Sequence, residues 1–173
     1  MNSISGSVHE RRSKPRTRAQ AWTALLFALT LLCACSSSRK STDDLAVAKM
    51  SRDQIVATSY LPLNADKPGT PVDAQLYLVP GKYTIVEYFS PYDQTCANLE
   101  PRLLRLTQTR NDMAVRTVNI NRPEVRQVDW QSPIVQYAGV QSLPFIQIYD
   151  TRQCLRAKGR PAFEQVSQWV QYL

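Results

Sequence analysis

From position 72 onward the chain switches between two hydrophobic periods. Gln75-Leu-Tyr-Leu-Val79 is a short apolar run closed by the turn pair Pro80-Gly81, and it predicts a strand. Tyr83-Thr-Ile-Val-Glu-Tyr-Phe89 is β-branched and aromatic and predicts a second strand. Over residues 93–111 the period lengthens, with Leu99, Leu103 and Leu106 at spacings of four and three, as on one face of a helix. Ala114 to Ile120 alternates like a strand and ends in the turn Asn121-Arg122-Pro123. Pro133 to Tyr137 predicts a short helix stopped at Gly139. Pro144 to Tyr149 is a strand, Asp150 to Gln153 a turn, and Cys154 to Lys158 a short strand. Ala162 to Tyr172 is an amphipathic helix with Phe163, Val166 and Val170 inward. The order β-β-α-β-α-β-β-α predicts an α/β fold, a central mixed sheet flanked by helices. No internal repeat is visible.

Upstream the pattern is weaker. Residues 36–70 read as a mostly extended tether, with Pro62 interrupting an apolar stretch and Pro68-Gly69 marking a turn-rich linker. Thr42-Asp43-Asp44 could cap a short helix to about Met50, with acidic residues at its positive end. Residues 11–18 are basic, and Ala19 through Ala34 are uncharged and mostly apolar. Those residues would span about 24 Å as a helix, short of a bilayer core of about 30 Å, so the layout is that of an export signal. Leu32-Cys33-Ala34-Cys35, followed by three serines, resembles the bacterial lipobox. That resemblance implies removal of residues 1–34 and acylation of Cys35. It also implies a lipid-anchored protein of the cell envelope with its domain in the periplasm. By the same resemblance Ser36, in place of an aspartate, implies delivery to the outer membrane of a Gram-negative cell. The expected organisation is a signal peptide over 1–34, a tether over 35–71 and one domain over 72–173.

Composition and charge narrow the chemistry. Apolar residues make up 43% of the 173, enough for a packed core. Residues 1–35 hold five Lys/Arg against Glu10, so +4 of the net +7 belongs to the leader. The remaining residues hold sixteen against thirteen, +3, and a nucleic-acid partner is not expected. The lone histidine, His9, lies in the leader, which excludes Ser/His/Asp triads, Cys/His dyads and His-liganded zinc from the mature chain. Neither a metal nor a cofactor is expected. The 4 cysteines are too few for a disulfide scaffold, and export would leave Cys96 and Cys154 in an oxidising compartment.

Tyr88-Phe-Ser-Pro-Tyr-Asp-Gln-Thr-Cys-Ala-Asn-Leu-Glu-Pro101 resembles the active-site segment of the thioredoxin-like family. There a strand runs into aromatic-Cys-x-x-Cys, with a proline five residues after the second cysteine. Tyr137-Ala-Gly-Val-Gln-Ser-Leu-Pro144-Phe-Ile-Gln-Ile resembles that family's loop carrying a cis-proline before the fourth strand. The resemblance covers about residues 75–173 and implies a thioredoxin-like fold. It places Tyr92 at the aromatic position, Cys96 at the second cysteine and Pro144 at the cis-proline. It also places Asp93 where the family has its nucleophilic cysteine, and Glu87 where the family keeps a buried acid.

Dithiol exchange needs one attacking thiolate and a second thiol that resolves the mixed disulfide. With Asp-Gln-Thr-Cys in place of Cys-x-x-Cys, a conventional dithiol-disulfide oxidoreductase is not expected. Cys96, one turn into the helix with Asp93 as a like charge, is expected to be a sluggish, largely protonated thiol. Asp93 also suits a helix N-cap, and Glu87 is expected to be buried with a raised pKa. Cys96 and Cys154 are not expected to pair, because the intervening strand separates them by about 20 Å. That leaves Cys154 as a packed side chain or an intermolecular bridge. Trp130 and Trp169 read as core or rim packing. Arg102, Arg105 and Arg110 read as a solvated helix face that could also touch anionic envelope surfaces. Two functions stay open at this point. One is a binding or scaffolding module that takes an envelope protein or peptide at the surface around Tyr92 and Pro144. The other is a monothiol redox protein acting through Cys96.

Overall fold

A computed structural model describes residues 50–173. The export signal, Cys35, Ser36 and nearly all of the helix expected over 42–50 lie outside the described residues. Five strands form one sheet in the order β1-β3-β2-β4-β5, with β1 at Tyr60–Pro62, β2 at Tyr83–Phe89, β3 at Met113–Asn119, β4 at Phe145–Tyr149 and β5 at Leu155–Lys158. β1, β2 and β3 run parallel, while β4 and β5 are antiparallel to their neighbours. The helices are α1 at Arg52–Ala57, α2 at Gln94–Thr109, α3 at Pro133–Ala138 and α4 at Arg160–Val170.

Alternation along the strands divides the core between two faces. Val86, Tyr88, Val118 and Phe145 pack with Ile55 of α1, Leu63, Leu78 and Ile134 of α3. Ile85, Val115, Ile146 and Ile148 pack beneath Leu99, Leu103 and Leu106 of α2 and Val166 and Val170 of α4. The fold is α/β and thioredoxin-like, a central mixed sheet flanked by helices.

Two stretches differ from the sequence expectation. Residues 75–79 form no strand: a 3-10 turn spans Ala74–Tyr77, and the Asp73 carboxylate accepts the Gln75 N–H at 3.0 Å. Both edges of β2 are already taken, by β3 and β4, so the run Tyr77, Leu78 and Val79 is buried as irregular chain beneath the sheet. The fifth strand comes instead from the stretch read as tether. Val115 N–H donates to Ser59 O at 2.7 Å and Leu63 N–H to Thr117 O at 2.8 Å, which seats β1 on β3. Pro62 is compatible with this because β1 is an edge strand and its outer side needs no donor. Ile55, Leu61 and Leu63 are buried, so from Arg52 onward these residues belong to the folded body. Gly69 anchors the same stretch. With φ at +83°, a Cβ there would stand 2.7 Å from Arg122 Cγ and 2.9 Å from Arg122 N.

A buried arginine ties these segments together. Arg116 of β3 is 0% exposed and points to the α1 side of the sheet. Its Nε–H donates to Tyr77 O at 2.8 Å, Nη1 to Thr58 O at 3.0 Å and Val115 O at 2.9 Å, and Nη2 to Ile55 O at 3.0 Å. Arg52 continues the pattern from α1, donating to Leu76 O at 2.9 Å and Leu78 O at 3.0 Å. Burial, then the charge of Arg52, pulls the Arg116 guanidinium down to about 10, which leaves it charged at neutral pH. Arg116→Ala strands three carbonyls from distant segments, each costing about 1–3 kcal/mol when buried unpaired. Urea unfolding should show a loss of at least about 3 kcal/mol, with amide exchange accelerating first over residues 52–63. A loss well below this, with no local change in exchange, would show that the clasp is dispensable.

Candidate functional site

The register of β2 on β4 pairs Tyr88 with Phe145, so the loop that leaves β2 and the loop that enters β4 meet at one end of the sheet. The loop Ser90-Pro91-Tyr92-Asp93 is shaped by Ser90. Its hydroxyl donates to Asn121 Oδ1 at 2.6 Å and accepts the Tyr92 N–H at 3.1 Å, while Asp93 N–H donates to Ser90 O at 3.1 Å. Asn121 in turn donates to Gln127 O, which ties the loop after β3 to this one. On the other side the Leu143–Pro144 peptide is cis, with Pro144 buried, Leu143 half-buried and Ser142 exposed. Tyr92 is exposed, as are Trp130 and Tyr137 on and after the loop that follows β3.

Asp93 is the N-cap of α2. Its Oδ1 accepts the Cys96 N–H at 2.8 Å, and its backbone carbonyl accepts Ala97 N–H at 3.0 Å. The carboxylate therefore meets the positive end of the helix and satisfies one of its orphan donors. Cys96, inside the first turn, is 1% exposed. Burial pushes its thiol far above the ordinary range; a backbone hydrogen bond at Ser90 opposes this, and Asp93 and Glu87 add to it. The thiol is protonated at every physiological pH.

Glu87 lies under α2, on the same face of β2 as Ile85, opposite Thr117 of β3 and Ile146 of β4. It is 0% exposed, and neither carboxyl oxygen has a hydrogen-bond partner among the described residues. Burial, then the charge of Glu100, pushes its pKa up to about 8, so the group is uncharged at neutral pH. Tyr60 of β1 donates to Glu100 Oε1 at 3.3 Å, and its phenol is pushed above its usual value by burial and by Glu100 and Glu87.

The structure thus brings Tyr92, Asp93, Cys96, Glu87 and Pro144 to one end of the sheet. Sequence reasoning missed the Ser90–Asn121 tie and Tyr60, for which the stretch before position 72 offered no signal. Cys96 is a free thiol, whereas Cys154 is buried and disulfide-bonded, with a partner outside the described residues. The sequence suggested a packed side chain or an intermolecular bridge; Cys154 is packed, and its sulfur is bonded. Trp169 is half-buried and meets Tyr83 edge-to-face at 6.3 Å, while Trp130 is 46% exposed. Arg110 forms a bidentate pair with Asp112 at 2.8 and 2.6 Å, and Arg102 and Arg105 are exposed. Among the described residues no group of three or more His, Cys, Asp or Glu could hold a metal ion, and no helix is long and apolar enough to cross a membrane.

No family model matches the chain, and no curated protein matches it. Among solved structures it is similar to thioredoxin f from spinach chloroplast, at 13% identity and a TM-score of 0.47, over 70% of this chain and 93% of that one. It is also similar to thioredoxin O2 from Arabidopsis thaliana, at 16% identity and a TM-score of 0.45, over 67% of this chain and 96% of that one. A third is thioredoxin f2 from Chlamydomonas reinhardtii, at 18% identity and a TM-score of 0.39, over 54% of this chain and 81% of that one. Likenesses at these values add nothing to the chemistry, and the fold rests on the strand order and helix placement described above.

Two outcomes are expected. Glu87 binds a proton in the folded state up to about pH 8, whereas the unfolded chain releases it near pH 4.3. Stability should therefore fall by about 1.4 kcal/mol per pH unit as pH rises through that window. In Glu87→Gln, urea unfolding at a series of pH values should lose this slope; an unchanged slope would contradict an uncharged Glu87. Cys96, in turn, should react with iodoacetamide at pH 8 at least about a hundredfold more slowly than free cysteine and become labelled on unfolding.

Proposed function

We propose that this protein is a lipid-anchored envelope module that binds an extended peptide or protein segment at the Tyr92 and Leu143–Pro144 end of its sheet and carries out no dithiol exchange. The observation that carries this reading is the Asp93 carboxylate capping the Cys96 N–H at 2.8 Å. By the resemblance, the residue that would attack a disulfide is here an acid engaged with the helix end. The one thiol nearby is buried and protonated, and a thiol in that state neither attacks nor resolves at a useful rate. Strand addition beside the cis-proline needs only backbone groups and flanking pockets, and so does not depend on cysteine. Leu143 is half-buried and lies outside β4, whose ladder begins at Phe145, and Tyr92 supplies an exposed aromatic surface beside it.

The anchor belongs to the same reading. The basic leader, the short apolar stretch and the Leu-Cys-Ala-Cys sequence ending at Cys35 support it. Acylation consumes the Cys35 sulfur and cleavage removes Cys33, so the reading requires that Cys154 of the mature protein be bonded to neither. Incorporation of labelled palmitate that is lost in Cys35→Ser tests this half.

For the module itself, the full chain and Cys96→Ser should both reduce a disulfide substrate at the background rate of buffer and reductant. Turnover that depends on Cys96 would overturn the reading in favour of a monothiol redox protein. A photo-crosslinking residue placed at position 92 in intact cells should give a discrete adduct that the same residue at position 168, on the outer face of α4, does not. Identical adducts from both positions would remove the binding surface.

A further inference from the structure

Charge is unevenly spread over the described body. Residues 50–149 carry nine Lys/Arg and nine Asp/Glu, a net of zero. Residues 150–173 carry four Lys/Arg against Asp150 and Glu164, so 4 − 2 leaves +2. The four cations, Arg152, Arg156, Lys158 and Arg160, follow one another through the turn after β4, along β5 and into the start of α4, and all are exposed. Leu155 stands among them at 48% exposure.

Among the described residues, counter-charge around Arg156, Lys158 and Arg160 is sparse. Asp150 Oδ1 accepts the N–H of Arg152 at 2.9 Å and of Cys154 at 3.0 Å, and Oδ2 lies 3.9 Å from Arg156. Arg160 meets Glu164 at 2.9 Å, but both side chains are more than half exposed, so water and salt screen the pair. Lys158 has no carboxylate within 4.0 Å among the described residues. The body as a whole is neutral apart from this edge.

β5 is the outermost strand, yet it is poorly made for pairing with another strand. It has four residues, its register on β4 shifts between Ile148 and Tyr149, and its side chains include Arg156 and Lys158. Short length, a bulge and edge cations are the features that turn away strand addition. The cations therefore fit a partner that presents negative charge over a surface rather than along a backbone. Long cationic side chains flanking an exposed leucine suit anionic headgroups, with the ammonium and guanidinium groups at phosphate level and the apolar group at the interface.

We propose that the β5 edge, with Arg152, Arg156, Lys158 and Arg160, docks the body onto a bilayer carrying anionic phospholipid headgroups. The proposal rests on the anchored reading for the proximity of that bilayer, because a short tether raises the effective headgroup concentration at the body. The contact itself is independent of acylation and is tested without it.

Unacylated full chain (Cys35→Ser) is co-sedimented with phosphatidylcholine vesicles containing about 30 mol% phosphatidylglycerol, and with phosphatidylcholine alone. Three versions are compared: the parent, Arg156→Glu/Lys158→Glu, and Arg102→Glu/Arg105→Glu, which makes the same charge change on α2. The leader is common to all three and cancels. A surface cation contributes about fivefold in affinity, so losing two costs about 25-fold, and the edge variant, which also adds two anions, should bind anionic vesicles more weakly still. The α2 variant should stay near the parent, and neutral vesicles should not separate the three. Arg156→Gln/Lys158→Gln, milder for folding, should lose an intermediate amount. Equal losses in the edge and α2 variants would reduce the effect to net charge and overturn the proposal, as would no loss in the edge variant. Edge-dependent binding of polyglutamate, with vesicle binding unchanged, would assign the edge to an acidic protein and overturn it too. Absence of palmitate at Cys35 would sink the anchor reading while leaving the vesicle result standing.

Discussion

Arg116 spends its guanidinium on backbone carbonyls from α1, from the link into β1 and from the 3-10 turn before β2, and among the described residues no carboxylate forms an ion pair with it. A buried cation without a counter-ion is tolerated only where carbonyl dipoles replace its water, so the three segments and the arginine require one another. The consequence reaches across the sheet. Seating β1 against β3 brings Tyr60 over the α2 face, where it donates to Glu100 and helps to cover Glu87. The environment beneath Cys96 is thus set in part by residues on the far side of the sheet and 39 to 61 positions away in sequence from Arg116.

That environment is one in which charge is suppressed. Glu87 is uncharged at neutral pH, and the Tyr60 phenol and the Cys96 thiol both hold their protons. A helix N-terminus contributes about 0.3–1 kcal/mol toward an anion, and here Asp93 already occupies it. Desolvation of the thiol runs against that small contribution and exceeds it. An end of a sheet with a protonated floor and one carboxylate at its rim is well suited to holding a neutral or apolar segment, and poorly suited to generating a nucleophile.

Much of the fold was legible in the sequence where one period governs a long stretch. β2, α2, β3, β4, β5 and α4 lie where alternation or the three-four spacing of leucines puts them, and Asp93 caps α2 as its position suggests. The failures have physical causes. Gln75 to Val79 has strand composition, but both sides of the neighbouring strand β2 are taken by β3 and β4, and composition says nothing of which strands are already paired. β1 is three residues long and contains Pro62, too short to show a period. Arg116 sits in an alternating strand, and nothing near it in sequence signals its burial, since accepting carbonyls from distant segments leave no mark in local sequence. At the site, Tyr92, Asp93, Glu87, Cys96 and Pro144 were recognisable from a motif. Ser90 and Tyr60 were not, because their roles come from partners 31 and 40 residues away.

The two proposed surfaces must be compatible within one molecule, and the sheet order decides whether they are. β1 and β5 are opposite edges of five strands. At about 4.8 Å per strand spacing, four spacings separate them by about 19 Å. The binding end lies along the strand direction instead, at the start of β4, perpendicular to the line from β1 to β5. If the body docks through β5 as proposed, the end of the sheet that carries Tyr92 and Leu143 lies to the side of that contact and is not covered by it. Had the cations lain on the loops at 90–93 or 142–144, anchoring and binding would compete for one surface; on β5 they do not.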